Sequence, residues 1–393
     1  MTTKIAFNQI AGSPINARDY GVLDDGSDIG AALNAAASAA NAAKTPLIIP
    51  AGVNYTSSVS LDWSAMPDLS VYGGGWRDTV ITFTEDVVGI AFAGNVLQGV
   101  QVQGVGKATA TQPGIHLTSV RRKFLERVHS EGFYDGIVYD QGNHSYFNMI
   151  ACVSNGNHGF VASNAGIDNN GSTFGQMDLR SNGGDGLHFT ADASQINRAQ
   201  QHFGGLISTT LNGGRAAHIT GRGHNLKIYE ETNTSGVYLD SNSEGNYLEI
   251  VFGGLDIDDG ANNSVVEARI GSVEAWVHNN LQASKIELNN RAYSGRLIET
   301  VTADRAFQRE FLGSSSNATV SYTHGAGGVV SFSTDGLLSG GISVGGGVYT
   351  VATLPGASGA GRMIYVSDEL GGGCIAFTDG TNWRRVTDRA VVS

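Results

Sequence analysis

The 393-residue chain has little of several things, and each scarcity argues against something. Its two cysteines, Cys152 and Cys374, are far apart in the chain. They cannot form a disulfide framework, and synthesis in a reducing compartment is expected. No apolar run of signal-peptide or membrane-spanning length is present, so neither Sec export nor membrane insertion is expected. Lys and Arg number 24 against 36 Asp and Glu, a net charge of −12. A protein that tracks nucleic acid needs a basic face, and this one shows none. Only 15% of residues are charged and only 6 are proline. Glycine fills the space: its 55 copies are roughly twice the usual share of about 7%, which implies many tight turns.

Those turns recur. From about Gly114 to Gly260 one phrase repeats: a short apolar-alternating run, a Ser/Thr-Asn-Gly turn, a glycine, then a second alternating run. It reads VHSEGFYDGIVY from Val128, ACVSNGNHGFVA from Ala151 and DLRSNGGDGLHF from Asp178, with looser copies TTLNGGRAAHI from Thr209 and YEETNTSGVYL from Tyr229. Glu131, Asn155, Asn182, Asn212 and Asn233 mark the turns, at separations of 24, 27, 30 and 21 residues. A unit of this length, built of period-2 segments and turn residues, predicts a β-solenoid rather than helical repeats. Coils stacked about 4.8 Å apart place equivalent residues in ladders, and stacked asparagines bond one another.

Alternation then assigns faces. Ile150 and Cys152, Met177 and Leu179, Ile207 and Thr209 point into the column before the turn. Ile137 and Tyr139, Phe160 and Ala162, Leu187 and Phe189, Ala217 and Ile219, Val237 and Leu239 do so after it. Outward lie Asp178, Arg180, Tyr229 and Glu231 before the turn, and Val138, Val161, His188, His218 and Tyr238 after it, with His116 beginning that row. Glu230 falls on the inward side, so it is either paired or carried on a bulge.

At the start, Ser27 and Asp28 are N-cap candidates for an alanine-rich helix over 28–44 that covers the first coil. The segment INARDYGVLDDGSDIGAALNAA, followed by LIIPAGVNY, resembles the entry motif of pectate-lyase-like β-helix proteins and bacteriophage tailspikes. Asp19, Tyr20, Gly21, Asp25, Gly26, Pro50, Ala51 and Gly52 carry the match, and Ser27-Asp28-Ile29 departs from the usual cap. The expected fold is all-β, a right-handed single-stranded parallel β-helix with a capping helix over residues 16–303. A short attachment peptide at 1–15 precedes it. A β-rich trimerisation or glycan-binding module at 304–393 follows it, whose ending FTDGTNWRRV looks like the C-terminal modules of phage tail proteins.

The resemblance implies a homotrimeric tailspike on the virion, made in the host cytoplasm and joined to the baseplate or a tail adaptor protein. It would recognise and depolymerise a bacterial surface polysaccharide, capsule or O-antigen. Glycoside hydrolysis needs two flanking carboxylates, whereas a lyase needs a base and a cation beside a uronate. The outward faces supply Asp178, Glu231 and Glu230 as catalytic candidates, with Arg180, Tyr229, His188, His218, Tyr238, Asp240 and Trp383 to bind substrate. No metal site and no cofactor are expected: GGLDIDDG, among the acids Asp240, Glu244, Glu249, Asp256, Asp258 and Asp259, matches no strict calcium loop. A histidine row stepping about 4.8 Å per coil does not converge on one ion. The acidic balance favours a neutral glycan. A non-catalytic receptor-binding fibre, a polysaccharide lyase and a cellular pectate-lyase-like enzyme are the alternatives. A serine esterase lacks its G-x-S-x-G elbow.

Overall fold

In the computed structural model the described residues are 12–251, 348–357, 363–370 and 372–392, together with strands between 255 and 324. Within 12–251, loops at 119–121, 141, 164–168, 191–201 and residue 245 are excepted. Contacts divide the chain into two units, Met1–Gly328 and Val329–Ser393. The boundary expected at 303/304 therefore shifts: strands Arg309–Gly313 and Val320–His324 still pair in parallel with the column's ladders.

The first unit is a parallel β-helix. A 16-stranded sheet and a 9-stranded sheet run up the column, each strand pairing in parallel with its counterpart one coil away. In the larger sheet Phe124–Glu131 pairs with Tyr146–Val153, and Met177–Arg180, Phe203–Thr210 and Asn225–Glu231 follow. In the second, Ile137–Tyr139, Phe160–Ser163, Leu187–Thr190, Arg215–Arg222 and Ser235–Glu244 stack in order. Every residue assigned inward by alternation is buried, from Ile150 at 1% and Cys152 at 0% exposed to Ala162 at 4%. The interior is an aromatic stack, with Phe147 on Phe174 at 5.3 Å and Phe174 beside Phe189 at 5.7 Å.

The corner between the sheets explains the repeated asparagine. Ser154, Ser181, Leu211 and Thr232 take left-handed φ near 55° and turn the chain. The asparagine after each then lies inside the corner. Asn155 Nδ2 donates to Asn182 Oδ1 (2.9 Å), Asn182 Nδ2 to Asn212 Oδ1 (2.9 Å) and Asn212 Nδ2 to Asn233 Oδ1 (2.8 Å). The first copy differs from its sequence alignment. Glu131 registers with Val153, and Phe133 occupies the asparagine column, its N–H donating to Asn155 Oδ1. Glu131 thus lies two residues short of the asparagine column, because Gly132 takes the left-handed position that Ser154 holds in the next coil.

The opening helix is Gly30–Ala43, and it closes the end of the column with Leu33, Ala36, Ala37 and Ala40 at 0% exposure. Ile29, not Ser27 or Asp28, occupies the N-cap. Asp28 acts one residue earlier, accepting from Gly30 N–H (2.9 Å) and bonding Ser58, so its carboxylate ties the helix to the first coil. The D-Y-G element ends a short 3-10 turn in which Gly21 adopts φ 90°, a conformation open to glycine at low cost.

At the third corner the interior is polar. Lys123, Ser145, Ser172, His202, His224 and Asn246 stack there, each at most 2% exposed. The His202 and His224 rings stack at 5.1 Å and touch Phe174 and Phe189. His224 Nε2–H donates to Thr220 O (3.1 Å), leaving Nδ1 without a partner. Burial pushes His224 down to about 4, and burial with the neighbouring His224 charge pushes His202 well below its ordinary value. The unfolded chain takes up protons on these histidines near 6.5, so stability is complete above that pH and falls as the pH drops towards 4. His224 alone is expected to cost about 3 kcal/mol at pH 4. Urea unfolding from pH 7 to pH 4 checks this: the midpoint should fall, and His224→Asn should fall less.

The second unit carries strands Val348–Tyr349, Met363–Val366, Cys374–Thr378 and Trp383–Arg385 in one sheet, antiparallel apart from its first pair. Both cysteines are free. Among the described residues no helix is long and apolar enough to cross a membrane.

Candidate active site

On the outer face of the larger sheet, register places Ala151, Asp178, Ser208 and Tyr229 in one row, and Val153, Arg180, Thr210 and Glu231 in the next. Asp178 and Glu231 therefore share a face two coils apart. Asp178 pairs with Arg180 at 3.4 Å, and Glu231 accepts from the Tyr229 hydroxyl at 3.1 Å. All four are open to solvent on a flat surface, Arg180 at 55% and Asp178 at 41% side-chain exposure.

Two expected site residues are overturned. Glu230 is 7% exposed, and the register from Ile207–Ile228 to Thr210–Glu231 runs unbroken across it. The irregularity in that pairing lies between Phe203 and Leu206 instead, so the carboxylate faces the column interior, out of reach of a polymer outside. Trp383 is 5% exposed and packs with Ile364, Val366, Ala376 and Val392, its indole N–H donating to Pro355 O (2.6 Å). It is core, because a four-stranded sheet of this size needs one large side chain to fill it. The side chain of Asp256, and Asp258 and Asp259 entirely, lie outside the described residues.

The densest group of titratable side chains lies on the second sheet. His116, Val138, Val161, His188, His218 and Tyr238 form the predicted outward row. Three residues earlier in each coil runs a second row, Asp135, His158, Asp185 and Arg215, each carbonyl accepting from a glycine of the coil below. Period-2 alternation ends at the turn and gives this row no face. The repeats show it plainly as the residue before the coil's glycine in FYDG, GNHG and GGDG.

The two rows interlock. His188 Nδ1 lies 2.7 Å from Asp185 Oδ2, and Asp185 Oδ1 accepts from Arg215 N–H at 2.7 Å. Burial raises the Asp185 pKa, but these bonds outweigh it and hold the carboxyl below its ordinary range. An ionised Asp185 makes His188 Nδ1 a donor, so Nε2 carries the lone pair. His158 stacks on His188 at 4.0 Å and 20°, and its Nδ1 accepts from Asp185 N–H at 2.9 Å. Burial and the neighbouring His188 push His158 down to about 4. Asp135 accepts from His158 N–H (2.9 Å) and Asn157 Nδ2 (3.0 Å), yet burial dominates and pushes its carboxyl up.

Beyond them His218 meets His188 edge-on at 4.7 Å and contacts Asp240 at 3.2 Å, while the Arg215 guanidinium lies 4.1 Å over the Tyr238 ring. One cluster thus holds a carboxyl pushed up by burial, a carboxyl held down by its hydrogen bonds, and a histidine between them. Environments that push two carboxyls apart in this way distinguish an acid from a base.

The donor atoms of His158, Asp185 and His188 lie within 4.8 Å of one another, a distance that admits a metal ion. The rings, however, are nearly parallel, so their in-plane lone pairs run side by side rather than to one point, and His158 Nδ1 is already an acceptor. The arrangement is that of a hydrogen-bonded dyad.

No family model matches the chain, and no curated protein matches it in sequence. Solved structures do. The ORF18 protein of Geobacillus virus E2 aligns at TM-score 0.50 and 11% identity over 79% of this chain. The chain spans 60% of that protein's length. The A-module of a mannuronan C-5 epimerase from Azotobacter vinelandii aligns at TM-score 0.50 and 15% identity, over 81% of this chain and all of the module. An α-1,3-glucanase catalytic unit from Streptomyces thermodiastaticus aligns at 0.45 and 13% identity, over 79% of this chain and 68% of that unit. At such identities what is shared is the architecture, and the chain is a right-handed parallel β-helix.

Proposed function

We propose that the chain is a tailspike-like enzyme that cleaves a bacterial surface polysaccharide, with its chemistry at the second-sheet cluster. The observation that carries this is the His188–Asp185 dyad, His188 Nδ1 lying 2.7 Å from Asp185 Oδ2, in one cluster with Asp135, whose carboxyl burial pushes up. In hydrolysis Asp135 gives its proton to the glycosidic oxygen as the C–O bond breaks, and His188 Nε2 takes a proton from the water that attacks the anomeric carbon. Stacking puts Asp135 and Asp185 two coils apart, about 9.6 Å between Cα atoms at roughly 4.8 Å per coil. Fold likeness to a virus protein and to a module that acts on mannuronan supports a polysaccharide as substrate.

Elimination is the second reading, favoured by Arg215 at the cluster's edge. Its guanidinium would face a uronate carboxylate while His188 Nε2 removes the adjacent ring proton and Asp135 protonates the departing oxygen. Asp178 and Glu231 form a further carboxylate pair for hydrolysis on the other sheet. They rank second because both are exposed and already engaged, by Arg180 and Tyr229. A homotrimer on the virion, attached through a tail adaptor protein, belongs to the same proposal.

Incubation with capsule and lipopolysaccharide from candidate hosts tests it, following product size and the ultraviolet absorbance of an unsaturated uronate. Falling size without absorbance means hydrolysis, and rising absorbance means elimination. Tight binding with neither would make the chain a receptor-binding fibre and sink the enzymatic reading. Sedimentation of a monomer would contradict the trimer.

A further inference from the structure

The strands of the larger sheet bend, with left-handed φ at Arg127 and Met149, into a leading half and a half that runs into the asparagine corner. The outermost row of the leading half is Phe124, Tyr146, Thr173, Phe203, Asn225 and Tyr247, in continuous register. Its aromatic members lie at the surface: Tyr146 is 36% exposed, Phe203 47% and Tyr247 37%. Phe124 stacks on Tyr146 at 5.1 Å and 14°. Burying such rings is the ordinary fate of Phe and Tyr, and here the inward neighbours Phe147, Phe174 and Leu248 already fill the core.

From Tyr146 onward the rings recur every second coil, about 9.6 Å apart at roughly 4.8 Å per coil, with the polar Thr173 and Asn225 between them. The adjoining row is polar at its ends, with Asn148 above and the ion pair Lys227–Glu249 (2.7 Å) below. Between them it carries Gly175 and Gly205 and then, across a register shift, Leu206, which pairs with Lys227 and is 44% exposed. A Cβ would meet Asn148 Oδ1 at 2.4 Å from Gly175, and Gly175 O at 2.9 Å from Gly205, so backbone lies open between Asn148 and Leu206. A flat apolar platform, a hydrogen-bonding group one coil on, then another platform is the alternation that an extended glycan presents. Each second sugar ring offers a C–H face, and the intervening ring offers hydroxyls.

We propose that this row is a binding track for a polysaccharide chain lying along the column axis, with Tyr146, Phe203 and Tyr247 each stacking on every second sugar. It rests on the reading of the substrate as a glycan, but it is a site apart from the second-sheet cluster.

The test uses the full chain carrying His188→Ala, so that cleavage does not consume the probe. An array of defined bacterial capsular and O-antigen oligosaccharides of increasing length is read by affinity, with sedimentation alongside. Affinity is expected to rise in steps of two sugars, and Phe203→Ala or Tyr247→Ala to weaken binding about tenfold each, with unchanged circular dichroism and mass. Phe203→Tyr, which keeps a ring, should restore binding. Binding that ignores both alanine variants overturns the track and leaves the glycan reading standing. Failure of the His188→Ala parent to bind any array member, or native cell-surface polysaccharide, overturns both. Loss of oligomer mass in the alanine variants would make the row an interface between copies instead.

Discussion

His188→Ala is expected to lower the rate of polysaccharide cleavage about 10²- to 10⁴-fold, the range for removing a positioned general base. His188 sits at 17% side-chain exposure on an outward strand position, so its loss opens no cavity in the core. Removing it also strips Asp185 of its closest side-chain partner, and that carboxylate then reads as a simple buried acid. Asp185→Asn separates chemistry from structure. The amide keeps the shape and accepts from Arg215 N–H, but it no longer favours the tautomer with the lone pair on Nε2, so cleavage should fall with His188 still present. Asp178→Asn is the control on the other sheet. If it abolishes cleavage while His188→Ala leaves the rate within about threefold, the chemistry belongs to Asp178 and Glu231 and the dyad is structural.

Asn182→Ala is expected to destabilise the column by about 3–5 kcal/mol. Asn182 is 2% exposed and completes four bonds at once. Its amide donates to Asn212 Oδ1 (2.9 Å) and Cys152 O (3.1 Å), while its Oδ1 accepts from Asn155 Nδ2 (2.9 Å) and Asn155 N–H (3.1 Å). Alanine leaves partners above and below buried and unsatisfied, and each such group costs about 1–3 kcal/mol before relaxation. Asn182→Asp should be worse, because a carboxylate brings acceptors to face Asn212 Oδ1 and Cys152 O. Guanidinium unfolding at pH 7 reads both variants. A loss under about 1 kcal/mol would mean that the ladder follows the stack rather than holding it.

Sequence periodicity carried the fold well, and for a physical reason. In a solenoid each coil's core is local, so the alternation of Met177, Leu179, Leu187 and Phe189 reports burial without knowledge of distant contacts. The asparagine ladder was legible on the same ground. The site was less so. Asp135, His158 and Asp185 sit in a turn, where the period-2 pattern stops and gives no face. Their interaction depends on neighbours in adjacent coils, 22–30 residues away. His188, His218, Tyr238 and Asp240 were found because they lie on or beside a strand. Glu230 and Trp383 were misjudged because a polar residue inside and an aromatic residue near a turn look alike, in sequence, to functional ones. The internal histidine corner went unread, since His202 and His224 lie outside any alternating run.

The corner between the sheets also bears on how such a protein changes over time. From Arg180 to Leu187 and from Thr210 to Ala217 the chain takes the same number of residues to turn, and from Glu131 to Ile137 and Glu231 to Val237 one fewer. Most of the slack in repeat length falls at the opposite corner, between Tyr139 and Tyr146, Ala162 and Thr173, Phe189 and Phe203. The strands on either side of that corner keep their parallel pairing despite its varied length, and the aromatic row begins where it ends. What borders the aromatic row can therefore change in length while the strands of the framework stay paired, so that the surface varies and the core does not.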